Sequence, residues 1–271
     1  MKSLVSTDWL QKNLESVRIF DASWHLPSAN RNAFDEFKTT HIKNSTFFDI
    51  DKNSNLDSSL PHMLPKKDNW EKILSGFGIK NSDHVVIYDN SDLISSCRVW
   101  YTFLYFNHDS NLVSVLDGGL KKWLKEKKDT TKEIKIFKRS SYLANEKISL
   151  VLNKNQITDN IKNKSFDLVD ARSKQRFLGS QPEARKQLKS GNIEGSKNLP
   201  YTELINSKDH TFKRKEELVS IFKKNNVDPN KNIAFTCGSG ITACVLGLTY
   251  SIIGGRKPVV YDGSWAEYGL K

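Results

Sequence analysis

Ile233-Ala-Phe-Thr-Cys237-Gly-Ser-Gly-Ile-Thr242-Ala-Cys-Val-Leu-Gly-Leu-Thr249 reads as a strand, a tight loop and a helix in immediate succession. The apolar run ending at Thr236 predicts a buried parallel strand, and the apolar pattern from Ile241 onward predicts a helix. Cys237 stands at the turn between them, beneath a helix N-terminus, where free backbone N–H groups and the helix dipole favour an anion such as a thiolate. Gly238 and Gly240 let the loop curl so that its N–H groups converge on the sulfur. The competing reading is a buried structural cysteine.

Working outward, the chain repeats itself. Val17-Arg-Ile-Phe-Asp21-Ala-Ser has a counterpart in Phe166-Asp-Leu-Val-Asp170-Ala-Arg172, and Thr40-His-Ile42-Lys-Asn-Ser45 in Gly191-Asn-Ile193-Glu-Gly-Ser196. Val85-Val-Ile-Tyr88-Asp89 matches Ile233-Ala-Phe-Thr236-Cys237, and Val115-Leu-Asp117-Gly-Gly119 matches Val260-Tyr-Asp262-Gly-Ser264. The offsets are 149 (170 − 21), 151 (193 − 42), 148 (236 − 88) and 145 (262 − 117), all in chain order. A period of that length denotes duplicated domains, not a solenoid. Each half alternates short apolar runs with helical patterns, the mark of α/β domains built on mostly parallel sheets flanked by helices.

In the second half, strands are expected near 167–170, 197–199, 233–236 and 258–261, and helices near 153–163, 215–225 and 241–253. The Lys-, Thr- and Ser-rich stretch 125–146 reads as a linker between domains at 1–124 and 147–271. Asp89 stands where Cys237 would fall in the first half, followed by Asn90-Ser-Asp in place of Gly-Ser-Gly. The first half therefore reads as structural or substrate-shaping. Cys97 and Cys244 fall inside apolar helices and read as packing residues.

Composition narrows the class. With 271 residues, 37% hydrophobic and 14 Phe, 6 Trp and 8 Tyr, the chain can bury a substantial core and is not disordered. No apolar stretch approaches a membrane span, and no signal-peptide core follows Met1. Three cysteines without short spacing indicate a reducing compartment, read as the cytoplasm, and argue against a disulfide scaffold or zinc site. The net charge of +11 raises nucleic acid as a partner. Its lysines are scattered, however, with no arginine-rich arm, so the charge reads as a field that attracts small anions.

These features together resemble the rhodanese family of sulfurtransferases, in its tandem-domain form with the cysteine only in the second domain. Within it, Cys237 to Thr242 is similar to the Cys-Gly-Ser-Gly-Val-Thr loop of the branch acting on 3-mercaptopyruvate, with Ile241 for Val. Further landmarks are Phe48-Asp-Ile-Asp51, His62-Met-Leu-Pro65, Arg98-Val-Trp100, Asp117-Gly-Gly119 and Tyr261-Asp-Gly-Ser-Trp265. The resemblance implies a Cys237 persulfide, release of pyruvate, and a Ser239, His62 and Asp51 relay that handles the proton. It also implies substrate binding by Arg176 and Arg185, whose forks suit a carboxylate beside a carbonyl, with Gly238, Gly240, Ile241 and Thr242 forming the loop around the substrate. It calls for no metal and no cofactor. The acceptor it implies is thioredoxin, a small thiol or cyanide. Arg172 is read as a structural ion-pair partner. One departure is Gly191-Asn-Ile-Glu-Gly195, which lacks the His and Pro usual in that turn.

Other classes share such a loop. Cysteine phosphatases and arsenate reductases need an arginine six positions after the cysteine, where this chain has Ala243. A non-enzymatic sulfur-binding module would be expected to have lost the loop, as the first half has. Thiosulfate:cyanide sulfurtransferases carry cations directly after the cysteine, where this chain has Gly238 and Ser239.

Overall fold

A computed structural model describes residues 3–271; Met1 and Lys2 lie outside the described residues. Its two five-stranded sheets are parallel throughout. The first runs Leu4–Val5, Val113–Leu116, Val85–Tyr88, Arg18–Asp21 and Ser45–Phe47 from edge to edge. The second runs Val151–Leu152, Val259–Tyr261, Ile233–Thr236, Asp167–Asp170 and Lys197–Asn198. Strand for strand the orders coincide, so the sequence repeat is a structural one.

The expected elements of the second half all form, with small shifts at their ends that have local causes. Asn153 caps its helix instead of entering it: its side chain accepts from Gln156 N–H while the Gln156 side chain accepts from Asn153 N–H, a reciprocal capping box. The helix after the cysteine loop spans Ala243–Ile252, two residues later than expected. Ile241 and Thr242 instead make tight bonds, accepting from Cys244 N–H and Val245 N–H at 3.1 Å each. This helix is buried nearly all round, as its uniformly apolar sequence requires.

The chain divides into two compact units: residues 3–56, 64–147 and Ser207–Thr211 in one, and Asp57–Met63, Ile148–Asn206 and Phe212–Lys271 in the other. The stretch expected as a linker is anchored on the first unit. Thr130–Thr131 pairs with His41–Ile42, Ser140 N–H donates to Ser75 O, and Tyr142 and Ala144 are buried. Asp57–Met63 packs with the second unit and Ser207–Thr211 with the first. Shifted by the repeat offset, these are the same stretch of the repeat. Each holds a histidine, His62 and His210, 148 residues apart (210 − 62) and both left-handed, at φ 59° and 58°.

The first unit is built on an aromatic cluster in which Phe20, Phe48, Trp70, Phe77 and Phe103 meet mostly edge to face. At the end of its strand lies Asp21, buried, its Oδ1 accepting from Ser23 N–H and the Ser23 hydroxyl. The second unit fills the matching place, Asp170, with the guanidinium of Arg172. Burial without a cation pushes the Asp21 carboxyl up to about 7, against the pull of the Ser23 hydrogen bonds. The unfolded chain releases this proton near 3.8 and the folded chain near 7. Stability is therefore fully present below 3.8 and is lost as pH rises through that window, by on the order of 4 kcal/mol. Asp21→Asn, which mimics the protonated acid, should raise the melting temperature at pH 8 and leave it nearly unchanged at pH 4. An equal shift at both pH values would show that Asp21 is charged in the fold.

Candidate active site

Cys237 follows its strand directly, at the C-terminal end of the parallel sheet, where such sheets place their sites. It is 2% exposed. The loop turns back through Gly240, whose φ of 79° admits glycine without strain. The N–H groups of Gly238, Ser239, Ile241 and Thr242 have no protein acceptor among the described residues, which leaves them available to an anion. Cys237 itself departs from the expected cradle, because its N–H donates to Ser264 Oγ at 3.3 Å.

The loop is gripped from the C-terminal motif. Trp265 N–H donates to Cys237 O at 3.0 Å and Ala266 N–H to Gly238 O at 2.8 Å. The short helix Ser264–Tyr268 thus starts against the loop.

Ser239 and His62 come together: the hydroxyl and the imidazole Nδ1 are 2.9 Å apart, and His62 is only 5% exposed. A hydroxyl on an imidazole is a unit that can take up or deliver a proton. The third expected member, Asp51, lies in the first unit, where Oδ2 accepts from the Trp24 indole N–H at 2.9 Å.

Arg176 lies on the short helix Lys174–Leu178, entered through Ser173, whose side chain accepts from Arg176 N–H, and ended by left-handed Gly179. Its guanidinium reaches the cysteine loop: a Cβ added to Gly238 would sit 3.0 Å from Arg176 Nη2. One edge of the fork is bound to Glu183, Nε to Oε1 at 3.3 Å and Nη2 to Oε2 at 2.5 Å. Arg172 shares that carboxylate, donating from Nη1 to Oε1 at 2.7 Å.

The structural role expected of Arg172 is plain. It is fully buried, forked onto Asp170, 2.9 Å from Gly191 O and 4.5 Å from the Trp265 ring centroid. The bond to Gly191 O also pins the turn whose His and Pro are missing. Glu183 is the member that sequence reasoning missed, although it stands two residues before Arg185. Its signal is a carboxylate close in sequence to three arginines. Arg185 lines an open cleft of about 460 Å³ with Ser58, Leu60, Pro61, Ala266 and Leu270.

The arrangement offers a buried nucleophilic sulfur, a loop carrying no charged side chain after it, a proton-transfer pair and a guanidinium with one edge still open. Cys97 and Cys244 are buried free thiols within their helices, and Cys244 Sγ donates to Gly240 O. Among the described residues no cluster of His, Cys, Asp and Glu could hold a metal ion. No helix among them is long and apolar enough to cross a membrane.

Known proteins share this organisation. The rhodanese-like domain family matches residues 6–126 and, a second time, 153–271. A rat 3-mercaptopyruvate sulfurtransferase is 38% identical over 278 residues, covering 100% of this chain and 93% of its own. The mitochondrial thiosulfate/3-mercaptopyruvate sulfurtransferase 1 of Arabidopsis thaliana is 37% identical over 291 residues, 99% of this chain and 76% of its own. Among solved structures, SseA from Escherichia coli, described as a 3-mercaptopyruvate sulfotransferase of rhodanese fold, superposes with a TM-score of 0.87. It is 29% identical, and the match covers 98% of this chain and 100% of SseA.

Proposed function

The chain belongs to the rhodanese-like domain family, with one domain in each half, and on that footing we propose that it is a sulfurtransferase that carries the sulfur of 3-mercaptopyruvate on Cys237. The observation that carries this reading is the pair of residues after the cysteine: uncharged Gly238, then Ser239 with its hydroxyl on His62. The Cys237 thiolate attacks the substrate sulfur. A sulfur–sulfur bond forms as the carbon–sulfur bond breaks, leaving a Cys237 persulfide and the enolate of pyruvate. Ser239 and His62 deliver the proton that turns the enolate into pyruvate. A thiol, whether of thioredoxin or a small molecule, or cyanide then takes the outer sulfur and restores the Cys237 thiolate.

Arg176 and Arg185 hold the substrate carboxylate and carbonyl, Arg176 through the edge of its fork that Glu183 leaves open. Gly238, Gly240, Ile241 and Thr242 supply the surrounding loop. The same reading places the enzyme in the cytoplasm, where three free thiols stay reduced. A thiosulfate:cyanide sulfurtransferase is the second reading. It is favoured by the guanidinium of Arg176 beside Gly238, which suits a doubly charged donor.

Intact-protein mass decides between them. With 3-mercaptopyruvate and no acceptor, the protein should gain one sulfur atom as pyruvate appears, and a thiol should remove that sulfur. With cyanide as common acceptor, kcat/KM should be higher for 3-mercaptopyruvate than for thiosulfate. Faster turnover of thiosulfate would install the second reading.

A further inference from the structure

Ser264 holds a backbone conformation that a serine has no intrinsic reason to hold. It is fully buried, with φ at 48°, a region disfavoured for residues with a Cβ. The repeat supplies its own control. The equivalent residue in the first unit is Gly119, 145 positions earlier (264 − 119), with φ at 53°. The backbone contact that follows each is the same: Leu120 N–H donates to Asp89 O at 2.9 Å, as Trp265 N–H donates to Cys237 O at 3.0 Å.

The fold therefore needs a left-handed residue here, and glycine meets that need in the unit without the cysteine. The unit with the cysteine has a side chain instead. What it adds is one hydroxyl. That hydroxyl donates to Tyr261 O at 2.9 Å, which aims its lone pairs, and accepts from Cys237 N–H at 3.3 Å. Strain kept at a site where glycine would avoid it points to a function for the side chain.

We propose that Ser264 is a positioning residue for sulfur transfer: its hydroxyl fixes the Cys237 peptide, and with it the direction in which Sγ leaves the backbone. The inference rests on the proposed activity only in its choice of substrate, since an aligned thiol matters to any attack from Cys237. The Trp265 and Ala266 N–H groups hold the carbonyls of Cys237 and Gly238. Ser264 holds the N–H, so the nucleophile's peptide is gripped at both ends.

Two full-length variants test it. Ser264→Gly removes the hydroxyl and relieves the backbone, so it should melt within a few degrees of wild type. Its kcat for pyruvate release should nevertheless fall about 10- to 100-fold with KM unchanged, the signature of lost alignment without lost binding. Ser264→Ala keeps the strained backbone and loses the same hydroxyl, so it should melt lower and show the same fall in kcat. The rate of Cys237 alkylation by iodoacetamide should drop in both variants, a readout that survives if 3-mercaptopyruvate is not the substrate. A Ser264→Gly enzyme within twofold of wild type in both kcat and alkylation rate would overturn the proposal. So would a loss of kcat in the two variants that follows their melting temperatures. Wild-type protein that releases no pyruvate, with alkylation still slowed in both variants, would remove the proposed substrate and leave the role of Ser264 standing.

Discussion

Cys237→Ser should melt close to wild type, release no pyruvate from 3-mercaptopyruvate, and gain no sulfur in its intact mass. The substitution exchanges sulfur for oxygen at a buried position, and the backbone bonds of Cys237 to Ser264 and Trp265 do not involve the replaced atom. What changes is the chemistry. A serine hydroxyl holds its proton far more tightly than a thiol, and oxygen cannot form the sulfur–sulfur bond on which the carrier depends. Removing a covalent nucleophile costs on the order of 10⁶-fold in turnover, which here means activity at the background level. Cys97→Ala and Cys244→Ala provide the contrast. Both thiols are buried within helices, so their loss should lower the melting temperature and leave the sulfur gain intact. Pyruvate release by Cys237→Ser, or loss of the mass gain in Cys97→Ala, would move the carrier elsewhere.

The sheets were legible because a parallel strand announces itself locally. Ile233–Thr236 is an apolar run ended by a turn and Asp167–Asp170 an apolar pair between aspartates, and the repeat confirmed each by a second copy. The loop was legible for the same reason, since Cys237, Gly238, Ser239 and Gly240 are contiguous. Arg172 was recognisable because its partner Asp170 lies two residues away. Harder to see were features that join distant parts of the chain. His62 meets Ser239 across 177 positions, and only the family resemblance paired them. That Asp57–Met63 and Ser207–Thr211 each pack with the unit of the other half leaves no mark in hydrophobic periodicity. Their one trace is that His62 and His210 obey the repeat offset. His210 shows what the first unit did with the inherited residue: its Nε2 lies 3.0 Å from Lys121 Nζ, and burial and that neighbouring cation hold its basicity below the ordinary range. Ser264 was concealed differently. It was quoted within a motif, but the reason to single it out is a backbone angle, which no sequence displays.

His62→Asn should separate the two sulfur donors. His62 sits at φ 59°, where alanine would add strain and asparagine is among the best tolerated residues, so Asn removes the proton-transfer group with the least disturbance of the backbone. With 3-mercaptopyruvate, breaking the carbon–sulfur bond leaves charge on an enolate that must be protonated. A positioned acid–base group contributes about 10²- to 10⁴-fold to such a step, equivalent to roughly 3–5 kcal/mol of barrier. With thiosulfate, the group that departs is sulfite, a stable anion that requires no proton to leave. The variant should therefore lose at least about 10²-fold in kcat on 3-mercaptopyruvate and less than about 10-fold on thiosulfate. The ratio between donors is the informative quantity, because a disturbed loop or a poorly folded fraction would lower both rates together. Ser239→Ala should reproduce the same ratio, since the hydroxyl lies 2.9 Å from the imidazole and the two act as one unit. Equal losses on both donors would assign His62 to holding the loop in place, with the enolate taking its proton from water.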